Sequence, residues 1–133
     1  MPIKVLLADD TAIVRDAIRR LFEHDPEIQL VAEATTLAQM IDIADKLHPH
    51  VIVMDLHIGH HENKASIQLR SSSGIPPVVA ISIWNDDDAR TLADSLGAVT
   101  LLDKINLASE LIPAIKRCVD PRTYTATESA PAS

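Results

Sequence analysis

Five polar side chains in this 133-residue chain stand where they could share one piece of chemistry: Asp9, Asp10, Asp55, Ser82 and Lys104. Each follows an apolar or largely apolar run: Val5-Leu6-Leu7-Ala8 before the acid pair, Val51-Ile52-Val53-Met54 before Asp55, Val78 to Ile81 before Ser82, and Val99 to Leu102, interrupted by Thr100, before Asp103-Lys104. Three carboxylates brought close together repel one another and raise one another's pKa unless a cation sits among them. A hard divalent ion with oxygen ligands answers that need. Mg²⁺ suits best, because it keeps several waters and shares its remaining positions with phosphoryl oxygens. Lys104 adds a positive charge and Ser82 a hydroxyl donor, so the set forms a cradle for phosphoryl oxygens in which a carboxylate can attack as nucleophile. The chemistry expected is phosphoryl transfer onto Asp55.

Such a site exists only if the apolar runs are neighbouring strands. Val51 to Met54 is apolar without alternation, the pattern of a strand buried on both faces of a parallel sheet. Strands are expected at Lys4–Ala8, Ile28–Ala34, from Val51 to Asp55, Val78–Ile83 and Val99–Leu102. Between them, apolar residues recur at helical spacing. The first helix runs from Ala12, with Thr11 suited to cap it and Ile13, Val14, Ala17, Ile18, Leu21 and Phe22 on its inner face. Thr36 and Gln39 have capping-box spacing, and open a helix that turns Leu37, Met40, Ile41, Ala44 and Leu47 inward. A weaker third helix spans Glu62–Ser72. Polar Asn85 to Asp88 start a fourth with the stripe Ala89, Leu92, Ala93 and Leu96, and Gly97 stops it. The last begins at Asn106 or Ser109 and ends at Cys118, with Pro113 blurring its start.

Five strands alternating with five helices imply a doubly wound α/β domain with a parallel sheet and right-handed crossovers. The natural small version is the flavodoxin-like three-layer (βα)5 sandwich of strand order 2-1-3-4-5, whose ligands bind beyond the carboxyl ends of the strands. In that order strands one, three, four and five are neighbours, and their ends deliver all five side chains to one pocket. Strand two, at the edge, contributes nothing comparable. The domain is expected over residues 1–120, with 121–133, rich in Thr, Ala, Ser and Pro, as a flexible tail or truncated linker.

The formal net charge of −7 argues against this domain itself gripping nucleic acid or an anionic membrane, both of which need clustered Lys and Arg. The lone Cys118 permits no internal disulfide and suits a reducing compartment. Met1-Pro2-Ile3-Lys4 leads straight into a strand without the longer apolar stretch of a signal peptide, and no run approaches the length of a membrane span, so a cytoplasmic setting is expected. His57, His60 and His61 invite a transition-metal reading, but no Cys or second acid cluster accompanies them. An aspartyl phosphatase would want Asp-x-Asp on strand one, where this chain has Asp9-Asp10-Thr11. A flavin carrier would want a hydroxyl-rich loop there and aromatics to stack on the ring.

The spaced set Asp9-Asp10, Asp55, Ser82 and Lys104 resembles the receiver domain of two-component response regulators, over about residues 3–119. The resemblance implies a histidine kinase or phosphotransfer protein as donor, Asp55 as phosphoacceptor, and self-catalysed transfer and loss of the phosphoryl group without turnover as an enzyme. It implies Mg²⁺ held by Asp10 directly, by Asp9 mainly through water, by Asp55 and by the backbone carbonyl of His57. Lys104 would neutralise the phosphoryl group, and Ser82 would move to hydrogen-bond it, remodelling the face of the fourth helix, fifth strand and fifth helix. The tail after Asp120 resembles a linker, so the expected output is either a DNA-binding helix-turn-helix domain absent from this chain or, equally, a stand-alone receiver with no such domain, and a second copy of the chain is a further candidate partner. Four positions depart from the family pattern. Leu101 replaces the usual aromatic three residues before the lysine, Gly59 replaces the usual proline four after Asp55, and bulky His57 and Trp84 border the entry of the hydrolytic water. The alternative is an atypical receiver that works as a phosphorylation-independent protein-interaction module.

Overall fold

The computed structural model describes residues 2–58, 76–84 and 86–119. Its strands are β1 (Ile3–Ala8), β2 (Ile28–Ala34), β3 (Val51–Asp55), β4 (Val78–Ser82) and β5 (Thr100–Asp103). Its helices are α1 (Ala12–Glu23), α2 (Leu37–Leu47), α3 (Asp87–Ser95) and α4 (Leu107–Val119), the last entered through a 3-10 turn at Lys104–Asn106. The fourth and fifth helices of the sequence reading are therefore α3 and α4. The helix expected at 62–72, Gly59, His60, His61 and the tail 121–133 lie outside the described residues.

All described strands are parallel in one sheet of order β2-β1-β3-β4-β5, the flavodoxin-like arrangement. Register sets the ends level: Ala8 lies opposite Met54, Asp55 opposite Ile81, and Ser82 opposite Asp103. Alternate residues of each strand therefore serve two cores. Leu6, Ala8, Ile52, Met54 and Ala80 pack with Leu37 and Met40 of α2 and Ala89 and Ala93 of α3. Val5, Leu7, Val53, Val79 and Ile81 pack with Ile18 and Phe22 of α1 and Leu111 and Ile115 of α4. Each fully buried Leu or Ile of these layers contributes about 1.5–3 kcal/mol over leaving it in water. That rigid platform fixes the strand ends.

Local chemistry explains where the helices begin and stop. Asp86 caps α3 by accepting the Ala89 N–H at 2.9 Å. Gly97, at φ +80°, ends it: its N–H reaches Asp94 and the Ala98 N–H reaches Ala93, the two bonds of a Schellman motif. At α2 the Thr36 hydroxyl accepts the Gln39 N–H as expected, but Gln39 returns to Thr35 rather than to Thr36. Lys116 of α4 reaches Asp25 and Glu27 just beyond α1, both at 3.0 Å, and Asp25 is held below its ordinary pKa first by the Glu27 N–H and then by Lys116.

Several inward assignments need correction. Ile13 is 82% exposed, because the first turn of α1 projects past the sheet, and Leu47 is exposed where α2 runs off the opposite end. β4 stops at Ser82, leaving Ile83 in solvent, and β5 starts at Thr100 rather than Val99, which is also exposed. α4 starts within the expected bracket and passes through Pro113.

Candidate functional site

The carboxyl ends of β1, β3, β4 and β5 meet as neighbours. β1 runs into Asp9, whose N–H continues the ladder to Ala34 of β2 at 3.0 Å. Its Oδ1 accepts the Thr11 N–H at 2.8 Å, an Asx-type turn that bends the chain into α1. Thr11 occupies the cap position as expected, but its hydroxyl donates to Asp10 at 3.3 Å instead of capping the helix. Asp9 is thus sealed in the interior while Asp10 stands in solvent.

One carboxylate oxygen from each of Asp9, Asp10 and Asp55 lies within 4.8 Å of the others. Lys104, only 14% exposed in its side chain, places Nζ 3.1 Å from Asp9 Oδ2 and 3.6 Å from Asp55 Oδ1. The ammonium acts on Asp9 as a charge, not as an aligned donor: Oδ2 is a buried oxygen that receives no hydrogen bond. Ordinarily such an oxygen costs about 1–3 kcal/mol, more when charged. Three carboxylates that meet this closely, one of them with an unsatisfied buried oxygen, are the donor set a hard divalent cation takes, so the residues fit Mg²⁺.

Burial raises the Asp55 carboxyl above its ordinary pKa, Asp9 and Asp10 add to the rise, and Lys104 and the His57 N–H, at 3.3 Å, oppose it. The sign of the consequence follows from linkage. Below about pH 4 Asp55 is protonated whether folded or unfolded; above that the unfolded chain loses its proton first, so stability falls until pH passes the raised folded value. Without divalent cations, Asp55→Asn is therefore expected to raise the Tm at pH 7, with the gain vanishing near pH 3.5. Denaturation in chelator across this pH range checks it, and an unchanged or lowered Tm at pH 7 contradicts it.

Ser82 is fully buried at the end of β4. Its Oγ accepts the Trp84 N–H at 3.0 Å and lies 3.5 Å from His57 Nε2, the outer limit for a hydrogen bond. The His57 and Trp84 rings meet edge to face, centroids 5.2 Å apart. Leu101 is half-buried on β5. The structure therefore brings Asp9, Asp10, Asp55 and Lys104 into contact range and sets Ser82 beside them through His57. A groove of about 500 Å³ between β5 and α4, lined by Val99, Leu102, Pro113 and Cys118, lies toward the other end of the sheet and holds none of these groups.

The sequence reading missed the contribution of β2. Glu33, near its end, accepts from Arg19 at 2.9–3.1 Å and lies 3.4 Å from Arg15 Nε, while Arg15 Nη1 donates to the Asp9 carbonyl at 2.7 Å. One signal was available: Arg15 stands in the first turn of α1, where the helix dipole disfavours a cation.

Comparison with known proteins agrees with this fold. The signal receiver domain of the response regulator NarL from Mycobacterium tuberculosis superposes with a TM-score of 0.81 at 21% identity, covering 91% of this chain and 98% of that one. A transcriptional regulatory protein, LiaR, of Bacillus subtilis is 31% identical over 115 residues, 86% of this chain and 54% of the relative. A protein-glutamate methylesterase/protein-glutamine glutaminase of Syntrophomonas wolfei is 32% identical over 94 residues, 71% of this chain and 27% of the relative. The chain thus spans between about a quarter and a half of the curated relatives it matches. No described helix is long and apolar enough to cross a membrane. A family model described as the response regulator receiver domain matches residues 5–116, and the chain belongs to that family.

Proposed function

We propose that the chain is a phosphoacceptor switch that takes a phosphoryl group from a histidine kinase or phosphotransfer protein onto Asp55. The observation that carries this reading is the meeting of three carboxylates within 4.8 Å beside a lysine that touches two of them. An Asp55 oxygen forms the new P–O bond as the donor's P–N bond breaks and its electron pair returns to the donor imidazole. Lys104 faces Asp55 and would neutralise the charge on the transferred group. Mg²⁺, when bound, would be held by Asp10, Asp55, Asp9 largely through water and the His57 backbone carbonyl, and supplies further charge neutralisation. Ser82 would exchange its contact with His57 for one to the phosphoryl group, drawing the segment after β4 inward and altering the face of α3, β5 and α4.

A protein donor needs an apolar collar around so acidic a pocket. Ile13 after β1, Ile83 and Trp84 after β4, and Ile105 after β5 are all more than half exposed. Beside them an open groove of about 350 Å³, lined by Ala17, Leu21, Ile105, Leu107 and Ala108, runs between α1 and the start of α4. Large apolar side chains clustered in solvent favour a docking surface over solvated loops. The effect would pass to an output domain, a DNA-binding one in keeping with the transcriptional regulatory proteins among its relatives, or to a partner chain, a second copy included.

Incubation with Mg²⁺ and acetyl phosphate tests the reading. A mass gain of one phosphoryl group, mapped to Asp55 and absent in Asp55→Asn, is expected; no gain in the parent chain favours the phosphorylation-independent module. The His57 and Trp84 rings touch each other next to Ser82 and would slow water's approach. His57→Ala and Trp84→Ala should each shorten the acyl-phosphate lifetime about fivefold, a barrier change of roughly 1 kcal/mol. Unchanged decay in both variants refutes that role.

A further inference from the structure

Resting on the cation-binding reading above, we propose that Arg15 is a positioning residue for the acid pair, and that Glu33 on the edge strand β2 holds it in place. Asp9 leaves the sheet at the point where its carbonyl has no further strand to bond. Arg15 Nη1 satisfies that carbonyl at 2.7 Å, the Ala34 carbonyl takes the Asp9 N–H at 3.0 Å, and the Thr11 N–H takes Oδ1 at 2.8 Å. Three fixed bonds leave Oδ2 as the one Asp9 polar atom without a hydrogen bond, aimed at Lys104. Glu33 completes the clamp: its Oε1 lies 3.4 Å from Arg15 Nε and 2.9 Å from Nη2 of Arg19, which also meets Asp16 at 3.2 Å. Arg15 is thereby fastened at both ends of its guanidinium, a role that needs a planar fork.

The placement is costly in local terms. A cation in the first turn of α1 faces the positive end of the helix dipole, and the turn carries no acid to offset it. Local rules are broken mainly where a site requires it, and here the broken rule delivers the bond to Asp9. A second effect of Arg15 has the opposite sign, since its positive charge near three carboxylates must repel a divalent cation. The two effects can be separated because removing the side chain would tighten cation binding if charge dominated and weaken it if positioning dominated.

Calorimetric titration of the chelator-treated chain with Mg²⁺ reads this directly, at a temperature far below the Tm measured for each variant. Arg15→Ala is expected to weaken Mg²⁺ about 10-fold, the lower end for groups that orient metal ligands. Arg15→Lys should recover only part of that loss, because an ammonium lacks the fork. Glu33→Gln, which keeps the shape of the clamp, should shift affinity the same way but less. Unchanged or tighter binding in Arg15→Ala, with the parent binding normally, overturns the inference alone. A parent chain that binds no Mg²⁺ overturns both the inference and the reading it rests on.

Discussion

Replacing Lys104 with Met is expected to lower stability by about 3 kcal/mol at pH 7 in chelator, since removing one partner of a buried ion pair strands the others. The ammonium is what the interior supplies against two buried carboxylates, 3.1 and 3.6 Å away. Without it Asp55 loses the largest influence holding its pKa down, so its carboxyl rises further. The cost of the substitution should therefore be present at neutral pH and shrink as pH falls through the raised Asp55 value and the carboxyl protonates. Mg²⁺ should restore part of the loss by taking over the neutralisation. It should not restore the chemistry: transfer from acetyl phosphate to Asp55 is expected to slow about 100-fold, the usual cost of deleting one preorganised charge aimed at a reacting group. Denaturant midpoints with and without Mg²⁺ and a mass-resolved time course check the two halves separately. Equal stability in chelator would mean the acids are neutralised by something other than Lys104.

How far this site could be read from the chain alone depended on which distances the sheet fixes. The apolar runs before Asp9, Asp55, Ser82 and Lys104 are long enough to identify as buried strands, and a parallel sheet in the order 2-1-3-4-5 leaves little freedom in where their ends fall. The meeting of Asp9, Asp10, Asp55 and Lys104 was legible for that reason. What failed to show were contacts between side chains on different elements. Arg15 and Glu33 are 18 positions apart, on a helix and an edge strand, and by type each passes for a solvated surface group. Helical periodicity could not tell that Ile13 overhangs the sheet, because period sets the face of a helix and not how far it extends. The Thr11 hydroxyl was assigned to the helix by propensity, but it donates to the neighbouring Asp10 carboxylate and accepts no helix N–H.

That division between buried and exposed acid gives the sharpest separation of binding from folding. Asp9 holds its turn through Thr11 and Arg15, so altering it disturbs the fold along with the site. Asp10 is exposed and, among the described residues, its carboxylate takes one bond, from the Thr11 hydroxyl, so Asp10→Asn should leave the fold intact. In chelator its Tm should equal or slightly exceed the parent's, because one of three like charges is gone. Mg²⁺ affinity, by contrast, should fall by about 100-fold or more, since charge count and direct ligands set the strength of such sites. At an ion concentration 100 times the parent's Kd, linkage gives the parent about 2.7 kcal/mol of added stability and the variant about 0.4 kcal/mol. Thermal denaturation with and without Mg²⁺ therefore reads the metal ligand without reference to phosphorylation. A variant stabilised by Mg²⁺ as much as the parent would remove Asp10 from the binding set, and with it the reason for two adjacent acids at the end of β1.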